Sequence, residues 1–269
     1  MLTEKQHNTA LGAVHYWTND IRPERQSLVF LPGLTADHRL FDGQVRRFEP
    51  THNVVVWDAP GHGASRPFRL DFSLDDKARF LHSILAAEGI GRPVLVGQSM
   101  GGYVAQCYLE LFPLEARGFI SIDSAPLKRR YVTRAELWLM RHAEPMYRAL
   151  PWSMLLKSGP KGCSVTGHGQ RQMLEMMQSY TQDEYCRLTG HGYRMLAEAM
   201  DCGRNYDIPC PALLLCGEHD RAGSSRSYNR RWAAGEGLRL VWVPAAGHNS
   251  NVDNPNFVNN AIADFLRGL

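Results

Sequence analysis

No stretch of this 269-residue sequence approaches the ~20 consecutive apolar residues that a helix needs to cross a bilayer, so no membrane span is expected. The opening residues, Met1-Leu-Thr-Glu-Lys-Gln-His-Asn, are polar and lack the apolar core of an export signal, which predicts a cytoplasmic protein. Cysteines are few, at 107, 163, 186, 202, 210 and 216, and none forms a C-x-x-C pair. Without an export signal, that spacing predicts buried thiols rather than a disulfide framework. Charge of one sign is scarce as well. The 30 Lys and Arg against 27 Asp and Glu leave a formal +3, too little for a phosphate-tracking groove, and no nucleic-acid partner is expected. The histidines show no HxxxH or HExxH spacing, Gly159-Pro-Lys-Gly-Cys163 lacks phosphate-loop spacing, and no dinucleotide fingerprint occurs. Neither a metal nor a bound cofactor is expected.

What is present is an ordinary globular composition, 44% hydrophobic and 21% charged, long enough to build a core without staples. Short apolar runs alternate with helical patterns, which predicts a mostly parallel sheet flanked by helices on both faces. The runs are Ser27–Leu31, Asn53–Trp57, Pro93–Gly97, Gly118–Ile122, Ala212–Cys216 and Leu238–Val243, with Ala13–Trp17 as a candidate edge strand. Ser73 is a candidate helix N-cap, with Asp75 and Asp76 in the first turn and an apolar stripe of Phe80, Leu81, Ile84 and Leu85 behind it. A final helix is expected from Pro255. The alternation breaks between about 126 and 205, where helical patterns run without a strand. That stretch holds eight of the ten methionines and twelve Lys/Arg against seven Asp/Glu. It reads as a helical cap over the sheet's carboxyl edge, set into a core domain of residues 1–125 and 206–269.

The sharpest chemical signal is Gly97-Gln98-Ser99-Met100-Gly101, placed after Val94-Leu-Val and before the helical Tyr103–Leu109. Strand, sharp turn and helix are the context in which G-x-S-x-G presents a nucleophile. The glycines supply room beside a strained serine, and Ser99 Oγ then stands at a helix N-terminus that favours developing negative charge. The Met100 amide is one candidate oxyanion donor. The second is the Leu34 amide, in Pro32-Gly33-Leu34-Thr35 after an earlier strand. A serine hydroxyl needs a base. His248, in a loop between the last strand and the last helix, follows the order serine, acid, histidine, whereas His62 in Pro60-Gly-His-Gly63 precedes the serine. The acid candidate is Asp220, in the loop after Leu213-Leu-Leu; Asp123, which ends a strand on the same edge, is the alternative.

These residues resemble the α/β-hydrolase superfamily over essentially the whole chain. The resemblance rests on G-x-S-x-G at 97–101, D-x-P-G-H-G-x-S at 58–65, G-x-x-D at 217–220 and Gly247-His248, in family order. It implies an α/β-hydrolase fold with Ser99 as nucleophile, Asp220 as acid, His248 as base, and the Leu34 and Met100 amides as oxyanion hole. One departure is Pro32, where family members usually carry a histidine before the glycine.

A serine nucleophile argues against dehalogenase and epoxide-hydrolase chemistry, which attacks with a carboxylate. The leading expectation is a serine hydrolase of a small carboxylic ester or related acyl compound, with a small-molecule substrate. One alternative uses the same triad for C–C bond hydrolysis or a cofactor-free lyase reaction. Another is a non-catalytic hydrolase-fold ligand-binding protein. The methionines of 126–205 read either as adaptable lining for an apolar group or as packing between cap and sheet. Lys128-Arg129-Arg130 with Arg134 reads either as a recruiter of a substrate carboxylate or as a solvated face.

Overall fold

Side chains along the central strands point alternately to two apolar layers, and this alternation sets the architecture. The computed structural model describes residues 2–269. In chain order it contains β1 (Thr3–Thr9), β2 (Gly12–Thr18), β3 (Ser27–Leu31), α1 (Asp42–Phe48), β4 (Asn53–Trp57), α2 (Leu74–Ala87), β5 (Val94–Gln98), α3 (Met100–Leu111) and β6 (Gly118–Ile122). After β6 come α4 (Arg134–Arg141), α5 (Ala143–Arg148), α6 (Trp152–Cys163), α7 (Gly167–Gln178) and α8 (Gln182–Asp201). The chain then completes the sheet with β7 (Ala212–Gly217), α9 (Ser225–Glu236), β8 (Arg239–Val243), α10 (Ser250–Asp253) and α11 (Pro255–Arg267).

The eight strands lie in the order β1-β2-β4-β3-β5-β6-β7-β8. The first two pairings, β1 with β2 and β2 with β4, are antiparallel; every other is parallel. Val29, Leu31, Val55, Leu95 and Phe119 face one layer, with Leu81 of α2, Val104 and Tyr108 of α3 and Trp232 of α9. Leu28, Phe30, Val54, Val96 and Ile120 face the other, with Phe48 of α1 and Val258 and Ile262 of α11. The architecture is the mostly parallel sheet with helices on both faces that the alternating pattern predicts.

The strand that the pattern misses is β1. Its residues, Thr-Glu-Lys-Gln-His-Asn-Thr, have no buried face, so no apolar alternation announces it. Such a polar edge also discourages pairing with another chain. Ser73 caps α2 reciprocally with Asp76: Ser73 Oγ accepts from the Asp76 amide at 3.1 Å, and the Asp76 carboxylate accepts from the Ser73 amide at 2.9 Å. All six cysteines are free. Cys107, Cys186 and Cys216 are buried as expected, but Cys202, at the end of α8, is exposed.

Between β6 and β7 the described residues form no strand. Helices α6 to α8 and the turn before α8 share a small apolar cluster of their own, built on Leu155, Met173, Met177, Tyr180, Tyr185 and Leu188. No helix is long and apolar enough to cross a membrane among the described residues.

The chain leaves β3 to one side to make β4 and returns to the other side for β5, so the carboxyl ends of β3 and β5 flank a switch point where such sheets open a crevice. The tightest contact there is between backbones. A Cβ on Gly101 would fall on the Leu31 carbonyl, and one on Gly97 would lie 2.5 Å from the Gly101 carbonyl carbon. Gly101→Ala should therefore destabilise the fold by about 3 kcal/mol or more. Ser73→Ala should cost only about 1 kcal/mol. Urea unfolding of both variants measures the difference, and equal effects would contradict the steric account.

Candidate functional site

Four non-glycine residues have positive φ among the described residues: Thr35 (64°), Ser99 (49°), Asp123 (49°) and Ala245 (53°). They follow β3, β5, β6 and β8, so local strain of about 1–3 kcal/mol per residue collects on one edge of the sheet. Ser99 is held by its amide, which donates to the Ile122 carbonyl at 2.9 Å, while its own carbonyl accepts from Gly102 at 2.9 Å. These bonds turn the chain from β5 into α3 and leave the hydroxyl partly exposed.

The His248 ring lies between Ser99 and Asp220. Its Nε2 is 2.8 Å from Ser99 Oγ and its Nδ1 is 3.0 Å from Asp220 Oδ2. With Asp220 as acceptor, Nδ1 carries the proton and Nε2 can accept from the serine. Asp220 Oδ1 accepts from the Ala222 amide at 2.8 Å, which fixes the carboxylate plane. Burial drives the Asp220 carboxyl upward, but the His248 charge and hydrogen bond outweigh it and hold the group below its ordinary range. Burial likewise pushes His248 down, and the Asp220 charge and hydrogen bond, aided by Asp123, raise it above its ordinary value.

Asp123 is not the direct partner of the imidazole. Its carboxylate accepts from the Gly217 amide at 2.7 Å and the Ser250 amide at 2.9 Å, tying the ends of β6 and β7 to the start of α10. Burial and then the nearby Asp220 charge push it well above the usual carboxylate range. Of the two carboxyls, Asp123 therefore keeps a proton more readily.

Met100 follows Ser99 in the chain, and the loop that carries Leu34 lies beside it. Met100 opens α3, so its N–H lies in the first turn, where intrahelical acceptors are lacking. The loop that carries Leu34 comes so close that a Cβ on Gly33 would sit 3.1 Å from Ser99 Cβ. The Leu34 side chain packs against Gly192 of α8, where a Cβ would meet Leu34 Cδ1 at 2.5 Å.

Sequence reasoning missed the braces of the histidine loop. Gln98 Nε2 donates to the His248 carbonyl at 2.8 Å, and the Asn249 amide donates to the Cys163 carbonyl at 2.7 Å. Asp253 accepts from Gly247, Val165 and Thr166 at 2.9–3.0 Å, tying this loop to the turn before α7. Only the position of Gln98, inside G-x-S, gave any signal in the sequence.

Other candidates lie elsewhere. His62 is buried, with Nδ1 3.0 Å from the Pro60 carbonyl, and makes no hydrogen bond to Ser99. The basic run after β6 is engaged by acids: Lys128 with Glu236 at 3.0 Å, Arg129 with Asp201 at 3.1 Å and Arg130 with Glu236 at 2.8 Å. Asp37, His38 and Asp58 bring possible metal-ligating atoms within 4.8 Å of one another. Their oxygens are already used, Asp37 by Arg39 and Asp58 by the His38 and Ala64 amides, so an ion would have to displace strong donors.

Comparison with known proteins agrees with this geometry at the level of family. Residues 28–261 match the model of the alpha/beta hydrolase family, and the chain belongs to that family. It is 28% identical over 251 residues to the 2-succinyl-6-hydroxy-2,4-cyclohexadiene-1-carboxylate synthase of Salmonella agona, covering 91% of this chain and 96% of that one. Among solved structures, it is similar to a thermophilic esterase from Thermogutta terrifontis (TM-score 0.77, 19% identity, 100% and 98% of the two chains). It is similar also to the 2-hydroxy-6-oxo-6-phenylhexa-2,4-dienoate hydrolase of Rhodococcus sp. strain RHA1 (TM-score 0.79, 15% identity, 99% of each chain).

The electrostatics of the histidine can be read directly. By NMR the His248 ring should titrate above its ordinary value, and Asp220→Asn should lower it, because burial then meets less opposing charge. An unchanged titration in the variant would show that Asp220 is not what raises it.

Proposed function

We propose that the chain is a serine hydrolase that cleaves a small carboxylic ester or related acyl compound through an acyl-enzyme. The observation that carries this reading is the continuous relay from Ser99 Oγ through His248 to Asp220, at 2.8 and 3.0 Å. In this mechanism His248 Nε2 takes the Ser99 proton as Oγ bonds to the substrate carbonyl carbon. The tetrahedral oxyanion accepts hydrogen bonds from the Leu34 and Met100 amides. His248 then returns the proton to the leaving alcohol as the ester C–O bond breaks. Water, deprotonated by the same ring, attacks the acyl-enzyme, and the carboxylic acid leaves with Ser99 restored. Residues 126–205 serve as the cap over this site.

The second reading keeps the triad and uses it for proton transfer in C–C cleavage or a lyase reaction. It is favoured by the synthase among the relatives, whose name describes a reaction other than ester hydrolysis. Acid quench of a slow ester substrate separates the two, since only the hydrolase accumulates an acyl adduct on Ser99.

The primary test is intact mass after exposure to a fluorophosphonate. A single adduct is expected on the wild type and none on Ser99→Ala, with ester turnover reduced by roughly 10⁴-fold or more in the variant. Folded wild-type protein that stays unlabelled would sink the proposal. Since His248 must be neutral to act as base and its pKa is raised, kcat/KM should climb with pH through a limb above 6.5.

A further inference from the structure

The inward face of α2 is apolar at Leu74, Ala78 and Leu81, yet Lys77 lies on it and is only 1% exposed. The Lys77 side chain makes no ion pair or hydrogen bond among the described residues, and its ammonium lies 5.5 Å from the centre of the Phe72 ring. The acids around it are committed elsewhere. Asp75 pairs with Arg204, Asp76 with Ser73 and Arg79, and Asp58 with the His38 and Ala64 amides. A buried cation without a counter-charge is costly, and a well-packed apolar residue would avoid that cost.

Two histidines lie close to Lys77 in the packed interior. His62, 1% exposed, has Nδ1 on the Pro60 carbonyl, and its Nε2 is buried without a partner. His191 of α8, 9% exposed, stands edge-on to the same Phe72 ring at 4.6 Å, and its Nε2 is also unpartnered. The turn that carries His62 touches α8 one helical turn earlier: a Cβ on Gly61 would lie 3.1 Å from Leu188 Cδ1. Burial and then the Lys77 charge depress both imidazoles, and burial lowers Lys77 itself to about 7. Three basic groups thus converge from α2, from the turn after β4 and from α8, with no acid among them.

We propose that Lys77, His62 and His191 form a recognition site, at the seam between the sheet and the helical insert, for the carboxylate of a small-molecule ligand. A carboxylate supplies the missing counter-charge and accepts from the ammonium, and its presence favours protonated rings that donate from Nε2. Arg66 near His62 and Arg194 near His191 add to the positive charge that a carboxylate would meet. Gly192, next to His191, packs on Leu34, so the site borders the loop that carries the proposed oxyanion donor. Read as substrate selection, the site rests on the proposed hydrolase activity and narrows the substrate to an acyl compound bearing a free acid. As a binding site it stands independently.

The test compares wild type with Lys77→Met, an apolar replacement of similar length, after thermal melting shows both folded. The substrates are the p-nitrophenyl monoester of glutaric acid, which keeps a free carboxylate, and neutral p-nitrophenyl butyrate. Lys77→Met should raise KM for the acidic ester about tenfold or more, leaving its kcat and both constants for butyrate unchanged. Succinate should also bind the Ser99→Ala protein in calorimetry and fail to bind Ser99→Ala/Lys77→Met. His191→Gln is the second variant should Lys77→Met not fold, with the same expected pattern. If neither ester turns over but succinate binding depends on Lys77, the hydrolase reading fails and the site stands. If succinate does not bind and the variants leave the acidic ester's KM unchanged, the cluster holds water alone and the proposal is overturned.

Discussion

The backbone of α3 packs directly on the end of β3, and the rest of the site depends on this approach. Gly101 has no room for a side chain over the Leu31 carbonyl, nor Gly97 for one beside the first turn of α3. Removing the two Cβ atoms lets the helix start against the sheet, which forces Ser99 into a positive φ and turns its hydroxyl outward. The strain is compensated by the buried layers on both faces, where each large apolar side chain contributes about 1.5–3 kcal/mol. Moving the helix outward by the width of a methyl group would misplace the serine, the Met100 amide and the loop carrying Leu34 together.

Around that contact the charges form a graded set. Asp220 is held ionised by the imidazole it orients, and Asp123, deeper and close to the same carboxylate, keeps its proton more readily. Two carboxyls with different roles thus arise from burial and hydrogen bonding rather than from residue type. The imidazole is steadied from behind by Gln98, by the Asn249 amide and by Asp253, so its place depends on β5, α6, the turn before α7 and α10 together.

Much of this was legible in the sequence because local chemistry and global fold agree. The central strands announce themselves by continuous apolar runs, and Ser73 with Asp76 marks the start of α2 by residue type alone. The order of Ser99, Asp220 and His248 along the chain, each just after a strand, was enough to anticipate that they meet. β1 was invisible because a strand with no buried face has no period to read. The brace Asp253 was invisible because a polar side chain that bonds to distant backbone looks like any loop residue, and the Asn249 brace because a backbone amide carries no residue signal. Lys77 was hidden for the opposite reason: at helical spacing, a lysine within an apolar stripe reads as a solvated neighbour until its burial is seen. The basic run at 128–130, by contrast, stood out in the sequence and proved to be tied up in ion pairs.

The insertion between β6 and β7 has an apolar cluster of its own, whereas the serine, the acid and the histidine all sit on turns of the sheet. Under the proposed function, that division would separate the genetic target for reaction chemistry from the target for shape around the substrate. On the proposed function, changes in α6 or α7 would reshape the surroundings of the substrate while the turns that carry Ser99, Asp220 and His248 stay in place. The two parts are coupled at many contacts, among them Leu34 with Gly192, Asp253 with the turn before α7, and Asp75 with Arg204. Those contacts would set the pace at which a lineage of such proteins changes what it acts upon.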